Sequence, residues 1–282
     1  MNRLVQVVLA VLLVSSIGAC QKSAGGDDGS GSNNEQADAA IPAMTTDVSA
    51  DVTADTTWTG LIKVHTAIKV ATGVTLTVDP GSVIQLDPAA GITVNGTVTI
   101  NGAKGNVVTI GPATGNHYWR QWTVATGTLN MSYVQQTGGA FSISGTGKVM
   151  ARDSEFSNAG AFPTDLLVAS GGTIDMQYSW IGLPEGQTDT THCDMHFEGS
   201  AALNLTISHT NVSTAAVAIM LYAGNADLTF NNWFGNSKDI DRQATGKGDL
   251  SNGYFEKGNP AASGSLTQNT MATSMVADAG PR

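Results

Sequence analysis

Four stretches in the middle of the chain decide how it folds: Val149-Met-Ala-Arg-Asp-Ser-Glu-Phe156, Ile174-Asp-Met-Gln-Tyr-Ser-Trp-Ile181, Leu205-Thr-Ile-Ser-His-Thr-Asn-Val212 and, one residue shorter, Leu228-Thr-Phe-Asn-Asn-Trp-Phe234. Each sets two apolar residues two apart, then a small polar turn, then another apolar residue. Successive stretches begin 25, 31 and 23 residues after one another. Period-2 alternation that returns at this spacing describes strands of a chain wound repeatedly around one core. Val149 and Ala151, Ile174 and Met176, Leu205 and Ile207, and Leu228 and Phe230 are expected to point inward, with Phe156, Ile181, Val212 and Phe234 entering from the next face.

Upstream, the same grammar continues in shorter words. Thr75-Leu-Thr-Val78 runs into the turn Asp79-Pro-Gly81, Ser82-Val-Ile-Gln-Leu86 stops at Asp87-Pro88, and Gly91 to Gly102 gives two strands parted by Asn95-Gly96. A sandwich or an up-and-down barrel also yields many short strands, but neither predicts one turn residue recurring at coil length. These runs, from Gly73 to Leu86 and from Gly91 to Val98, resemble the opening coils of right-handed parallel β-helix proteins of the pectate-lyase-like superfold, and Trp119 to Val134 is similar to their next coil. The expected fold is therefore all-β, a single-stranded right-handed parallel β-helix. With coils stacked about 4.8 Å apart, roughly 180 residues would make about eight coils.

The N-terminus carries an address. Residues 1–19 open with Asn2-Arg3, continue through an apolar run from Leu4 to Leu13 and end in Ser15-Ser-Ile-Gly-Ala19 before Cys20. That run is too short to span a bilayer and reads as a signal peptide. The segment resembles a bacterial lipoprotein signal, with Ile17-Gly-Ala-Cys20 as the lipobox. The resemblance implies acylation of Cys20, palmitate included, and attachment to a membrane by lipid; Gln21 after the cysteine implies the outer membrane, facing periplasm or exterior. Residues 20–55 are Gly, Ser, Ala, Asp and Asn with hardly a large apolar side chain, the composition of a disordered tether. The β-helix with its C-terminal cap is expected over residues 56–258, and residues 259–282 read as a disordered tail.

Composition narrows the partners. Once Cys20 is lipidated, Cys193 is the one remaining cysteine, so no internal disulfide forms. The formal charge is −10. No cluster of Lys and Arg is present to neutralise phosphates, which argues against nucleic acid.

The strongest candidate for chemistry is His192-Cys-Asp-Met-His-Phe-Glu198, preceded by the insertion Leu183 to Thr191. On a regular strand His192, Asp194, His196 and Glu198 share the outward face while Cys193, Met195 and Phe197 face the core. Two imidazoles and carboxylates on one face could hold a ligand, act as acid and base, or bind a metal. Aligning the coils on their following glycines sets Leu166 and Ile219 beside Asp194, and Val168 and Leu221 beside His196. Those neighbours ligate nothing, so no metal and no cofactor are expected, and the insertion is expected to fold over these apolar residues. Trp180, with Trp119, Trp122 and Trp233, could stack on sugar rings if exposed. Asp153, Tyr178, His209 and Asn232 are placed in one turn column, with Ser154, Ser179 and Thr210 beside it, where side chains cap turn backbone groups. No nucleophile elbow, phosphate loop or paired zinc cysteines occur, and the superfold's clustered catalytic Asp cannot be placed on this chain. The sequence thus favours a non-enzymatic, lipid-anchored envelope protein that presents its lateral face to a glycan or an envelope protein. Its rivals are a polysaccharide lyase or hydrolase and a purely structural surface protein.

Overall fold

The short alternating runs become consecutive strands: Thr75–Val78, Val83–Leu86, Gly91–Val94 and Thr97–Asn101, with every second residue buried in three of them. The structure is a computed structural model that describes residues 44–282 apart from 116–117, 161–163, 185–186, 188, 190, 200–202, 243–244 and 262–264. Residues 1–43, which hold the expected signal peptide, Cys20 and most of the expected tether, lie outside the described residues.

The chain visits three sheets in turn, C then A then B, and every strand but those at the ends of a sheet pairs in parallel with its counterparts one coil before and after. Sheet A has ten strands from Thr45–Val48 to Tyr254–Phe255, sheet B eight from Ala67–Val70 to Lys238–Arg242, and sheet C ten from Thr56–Trp58 to Leu266–Thr267. The result is a parallel β-solenoid of about eight turns. No helix among the described residues is long and apolar enough to cross a membrane.

In-register stacking turns the alternation into columns. Sheet A contributes Ile62, Ile84, Ile110, Gln136, Phe156, Ile181, Val212 and Trp233. Sheet B contributes Ile68, Ile92, Trp122, Phe141, Leu167, Met195 and Ile219. Each large side chain fully removed from water stabilises the rod by about 1.5–3 kcal/mol. Gln136 is the polar member of its column, and its amide is satisfied there: Trp122 Nε1 donates to Oε1 at 2.8 Å, and Nε2 donates to the Gly139 carbonyl at 2.8 Å.

Three boundaries or registers differ from the sequence reading. Thr45–Val48 already pairs with Leu61–Val64, and Val52 is buried, so the solenoid starts inside the span read as tether. In the fourth stretch Ala226, not Leu228, stands on Leu205, and Trp233, not Phe234, stands on Val212. Ala226 is too small to register in an apolar pattern, which shifted the expected frame by two residues; Phe230 is exposed. Residues 265–282, expected as a disordered tail, add the strand Leu266–Thr267 and then run back along the turn between sheets C and A.

That turn is a left-handed ladder. Tyr133, Asp153, Tyr178, His209, Phe230 and Asn252 all have φ between 49° and 62°. Each of the first five donates its amide N–H to the carbonyl just before the next member, as Asp153 does to Gln177 and His209 to Thr229. Phe230 therefore takes the place expected for Asn232. Non-glycine residues held there cost on the order of 1 kcal/mol each, and the buried residues that follow supply compensating bonds. Ser154 and Ser179 Oγ and Asn231 Oδ1 accept amide N–H groups from the preceding coil. On the outside Tyr178, His209 and Phe230 stack with ring centroids 4.8 and 4.7 Å apart. The C-terminal segment lies against this stack: Val276 exchanges two hydrogen bonds with Asn232, Gly280 N donates to the His209 carbonyl, and the Arg282 guanidinium sits 3.5 Å over the Tyr178 ring.

Candidate functional site

Sheet B departs from strict alternation where its strands begin, and this departure builds the site. Leu166 and Leu167 are both buried and line the same interior void. In the next coils Asp194 and Met195, then Ala218 and Ile219, are likewise consecutive buried pairs. The strand turns a corner here, so two successive side chains face inward and the residue before each pair is left outside the apolar core. Those residues are Asp165, Cys193 and Val217.

Cys193 is fully buried yet does not join the core cluster of apolar side chains. Asp165, Cys193 and His196 each offer one ligating atom, and the three atoms lie within 4.8 Å of one another. His192 Nδ1 stands 2.9 Å from Asp165 Oδ1, and His196 Nδ1 stands 2.9 Å from Oδ2. One carboxylate from one coil thus holds two imidazoles from the next. Burial opposes the charge on Asp165, but hydrogen bonds from Cys193, His196 and His192 prevail and hold its pKa below the ordinary value. Since the carboxylate can only accept, both Nδ1 atoms donate. Burial, then the adjacent Asp165, push the Cys193 thiol far above its usual range, so it is a protonated thiol and a poor nucleophile. His196 Nε2 is buried with no hydrogen-bond partner, and Glu198 Oε2 lies 3.7 Å from it. The Tyr222 ring packs edge-on against His196 at 5.4 Å.

Of the residues singled out from the sequence, His192 and His196 meet at this cluster and Glu198 flanks it, exposed. Asp194 does not. It is fully buried on the core side of the corner, where its Oδ1 accepts a 3.4 Å hydrogen bond from Thr191 and its Oδ2 finds no partner. Desolvation, with the nearby Asp189 charge, pushes its pKa well above the ordinary carboxylate range. The expected outward face of the strand is therefore corrected: Asp194 and Cys193 exchange sides, because the corner breaks the period of two. Trp180 lies on sheet A, half-buried, donating to Ser213 Oγ at 2.8 Å and meeting Phe234 edge-on, and is not brought to the histidines. Trp119, Trp122 and Trp233 are buried and present no sugar platform.

Asp165 was missed altogether. Pairing Val168 with His196 places Asp165 opposite Cys193, so its position was readable, but its chemistry was hidden while Cys193 was assigned to the core. The neighbours on the other side were misplaced by one residue: Met220 pairs with His196, while Ile219 and Leu221 pair with Met195 and Phe197 and face inward. Tyr222 and Ala223 both donate to the Phe197 carbonyl, a bulge that lengthens the turn by one residue and defeats alignment on glycines. Of the insertion, Asp189 ties the corner down by accepting the amide N–H groups of Asn158 and Thr191.

A second surface lies on sheet C. Its outward side chains stack in register as Thr77, Thr99, Asn130, Met150, Asp175, Thr206 and Asp227. A shallow cleft of about 250 Å³ opens among Thr99, Asn101, Asn130, Ser132, Met150 and Arg152. Asn130 Oδ1 is buried beneath the surface without a hydrogen-bond partner, and Arg152 is fixed by Asp175 at 2.9 Å.

Fold and sites together define a parallel β-solenoid with a polar lateral face and a separate Asp–Cys–His–His cluster at one corner. In comparisons with known proteins, no family model, no curated protein and no solved structure matches this chain.

Proposed function

We propose that the protein is a non-enzymatic component of the cell envelope, lipid-anchored through Cys20 at the outer membrane, whose sheet C face binds an extended glycan. The reading rests on one observation: hydroxyl, amide and carboxylate side chains repeat along that face at the coil spacing of about 4.8 Å, around a shallow cleft. A polymer of hydroxyl-bearing units meets such a face through many weak, repeated hydrogen bonds, and the exposed Met150 supplies apolar contact for a sugar ring. The lipobox and the export signal support the address. An envelope protein docking on the same face would be expected to prefer a more apolar core than these rows provide.

The test is binding of the purified full chain to immobilised envelope polysaccharides, beside labelling with radioactive palmitate in cells. Saturable binding that falls with Asn130→Ala and Arg152→Ala, and labelling lost on Cys20→Ala, are the expected results. Absence of saturable binding would leave an architectural surface protein. Polymer cleavage abolished by His196→Gln would overturn the non-enzymatic reading in favour of a lyase or hydrolase.

A further inference from the structure

We infer that Asp165, Cys193 and His196, with His192 as the fourth donor, form a binding site for one divalent transition-metal ion, Zn²⁺ by preference, that staples two adjacent coils of the solenoid. The inference is independent of glycan binding on sheet C.

The donor set is the first argument. A thiolate, two imidazoles and a carboxylate are the ligands that Zn²⁺ and its neighbours in the first transition row take in tetrahedral sites, whereas Ca²⁺ and Mg²⁺ prefer oxygen alone. The second is convergence from separate places in the chain. Asp165 comes from one coil, and His192, Cys193 and His196 from the next, 27 to 31 residues on. Tetrahedral ligand atoms around Zn²⁺ stand roughly 3.3–3.8 Å apart, given bonds of about 2.0–2.3 Å. For Asp165, Cys193 and His196 the N–O separation of 2.9 Å and the 4.8 Å limit bracket that range, so these three close on an ion by small side-chain shifts, and His192, 2.9 Å from the other Asp165 oxygen, completes the set by turning its ring toward them.

The third argument is the unsatisfied nitrogen. With Nδ1 of His196 donating to Asp165, the buried Nε2 carries a lone pair that meets no donor. A metal on Nδ1 transfers the ring proton to Nε2, 3.7 Å from the Glu198 carboxylate, and supplies the carboxylate partner that metal-bound imidazoles ordinarily have. Glu198 then orients a ligand without touching the ion. The thiol of Cys193 loses its proton to solvent on binding, and no electron changes hands. Cys193 is sealed from solvent, so its sulfur is shielded from oxidation, as a structural site requires.

The experiment uses the full chain without a histidine tag, stripped with a chelator and titrated with Co²⁺ in a Cys20→Ser background. Saturation at one equivalent is expected, with the visible bands of tetrahedral cobalt and a sulfur-to-cobalt charge-transfer band that Zn²⁺ bleaches. Cys193→Ser should abolish the charge-transfer band, and Asp165→Asn and His196→Gln should weaken binding by at least about tenfold. Zn²⁺ should also raise the thermal midpoint of the parent chain but not of His196→Gln. Failure of the parent chain to develop the band overturns the inference, and this arm needs no variant at the corner to fold. A band that survives Cys193→Ser overturns it equally.

Discussion

The two halves of the solenoid share one backbone plan but differ in what they bury. From Thr45 to Ser132 the interior is apolar, and Ser82 is the single buried polar residue among those described. From Asp153 to Ser251 the same columns are interrupted by Ser154, Ser179, Asp194, Thr210, Asn231, Asn232 and Asn236, all nearly inaccessible. The first half is therefore a scaffold whose stability follows from area and packing. The second has given up apolar contact for directional bonds at its turns and corner, and both the Asp165 cluster and the C-terminal segment are built there.

Glycines break this comparison most sharply. A Cβ on Gly182, at φ 96°, would sit 1.8 Å from the Ser213 carbonyl oxygen, while one on Gly105, at φ 77°, would meet nothing. Gly182→Ala should cost about 4 kcal/mol or more, or prevent folding, and Gly105→Ala only about 1 kcal/mol of backbone strain; urea unfolding at equilibrium measures both. The indoles come next. Trp122 donates to Gln136, whereas Trp233 Nε1 is buried without a partner. Trp122→Phe should therefore be worse than Trp233→Phe by about 1–3 kcal/mol, because it orphans a buried amide oxygen while the other removes an orphan.

Smaller effects separate the polar groups. Asn231 bonds to the Thr210 amide and to the carbonyls of Ile207 and Leu228, but Ser82 Oγ has no partner. Asn231→Ala should lose about 1–3 kcal/mol and Ser82→Ala should be neutral within about 0.5 kcal/mol, again by denaturant unfolding. The smallest difference is in pH dependence. Burial raises the pKa of Asp239 in the folded state. The folded chain then holds a proton that the unfolded chain has released, so this contribution is full below the ordinary carboxylate pKa and is lost as pH rises through the raised value. Asp239→Asn should flatten that part of the stability profile relative to the parent, and an unchanged slope would show that the site is not desolvated.

The scaffold half was legible in the sequence because Val, Ile and Leu at period two, set off by Asp-Pro-Gly and Asn-Gly turns, leave one frame only. The second half misled wherever a column held something other than a large aliphatic. Ala226 was passed over for Leu228, and Gln136 gave no signal of an inward position. At the site, His192 and His196 stood out as types. Asp194 and Cys193 were assigned to the wrong sides because alternation was carried through a corner where two residues turn inward. Asp165 could be found only by pairing coils, since nothing local distinguishes it from a turn aspartate. The return of the chain end along Tyr178 and His209 depends on stacking and hydrogen bonds spanning up to 129 residues, beyond any local pattern.

Both functional readings depend on successive coils being in register along one face. Spin labels at Thr77→Cys and Asp227→Cys, with Cys20 and Cys193 replaced by serine, test this directly by pulsed dipolar spectroscopy. The two positions are joined by six consecutive register pairs on sheet C. The account predicts one narrow distribution centred at about 29 Å, six steps of about 4.8 Å. A broad distribution, or a centre displaced by about 10 Å or more, would contradict it.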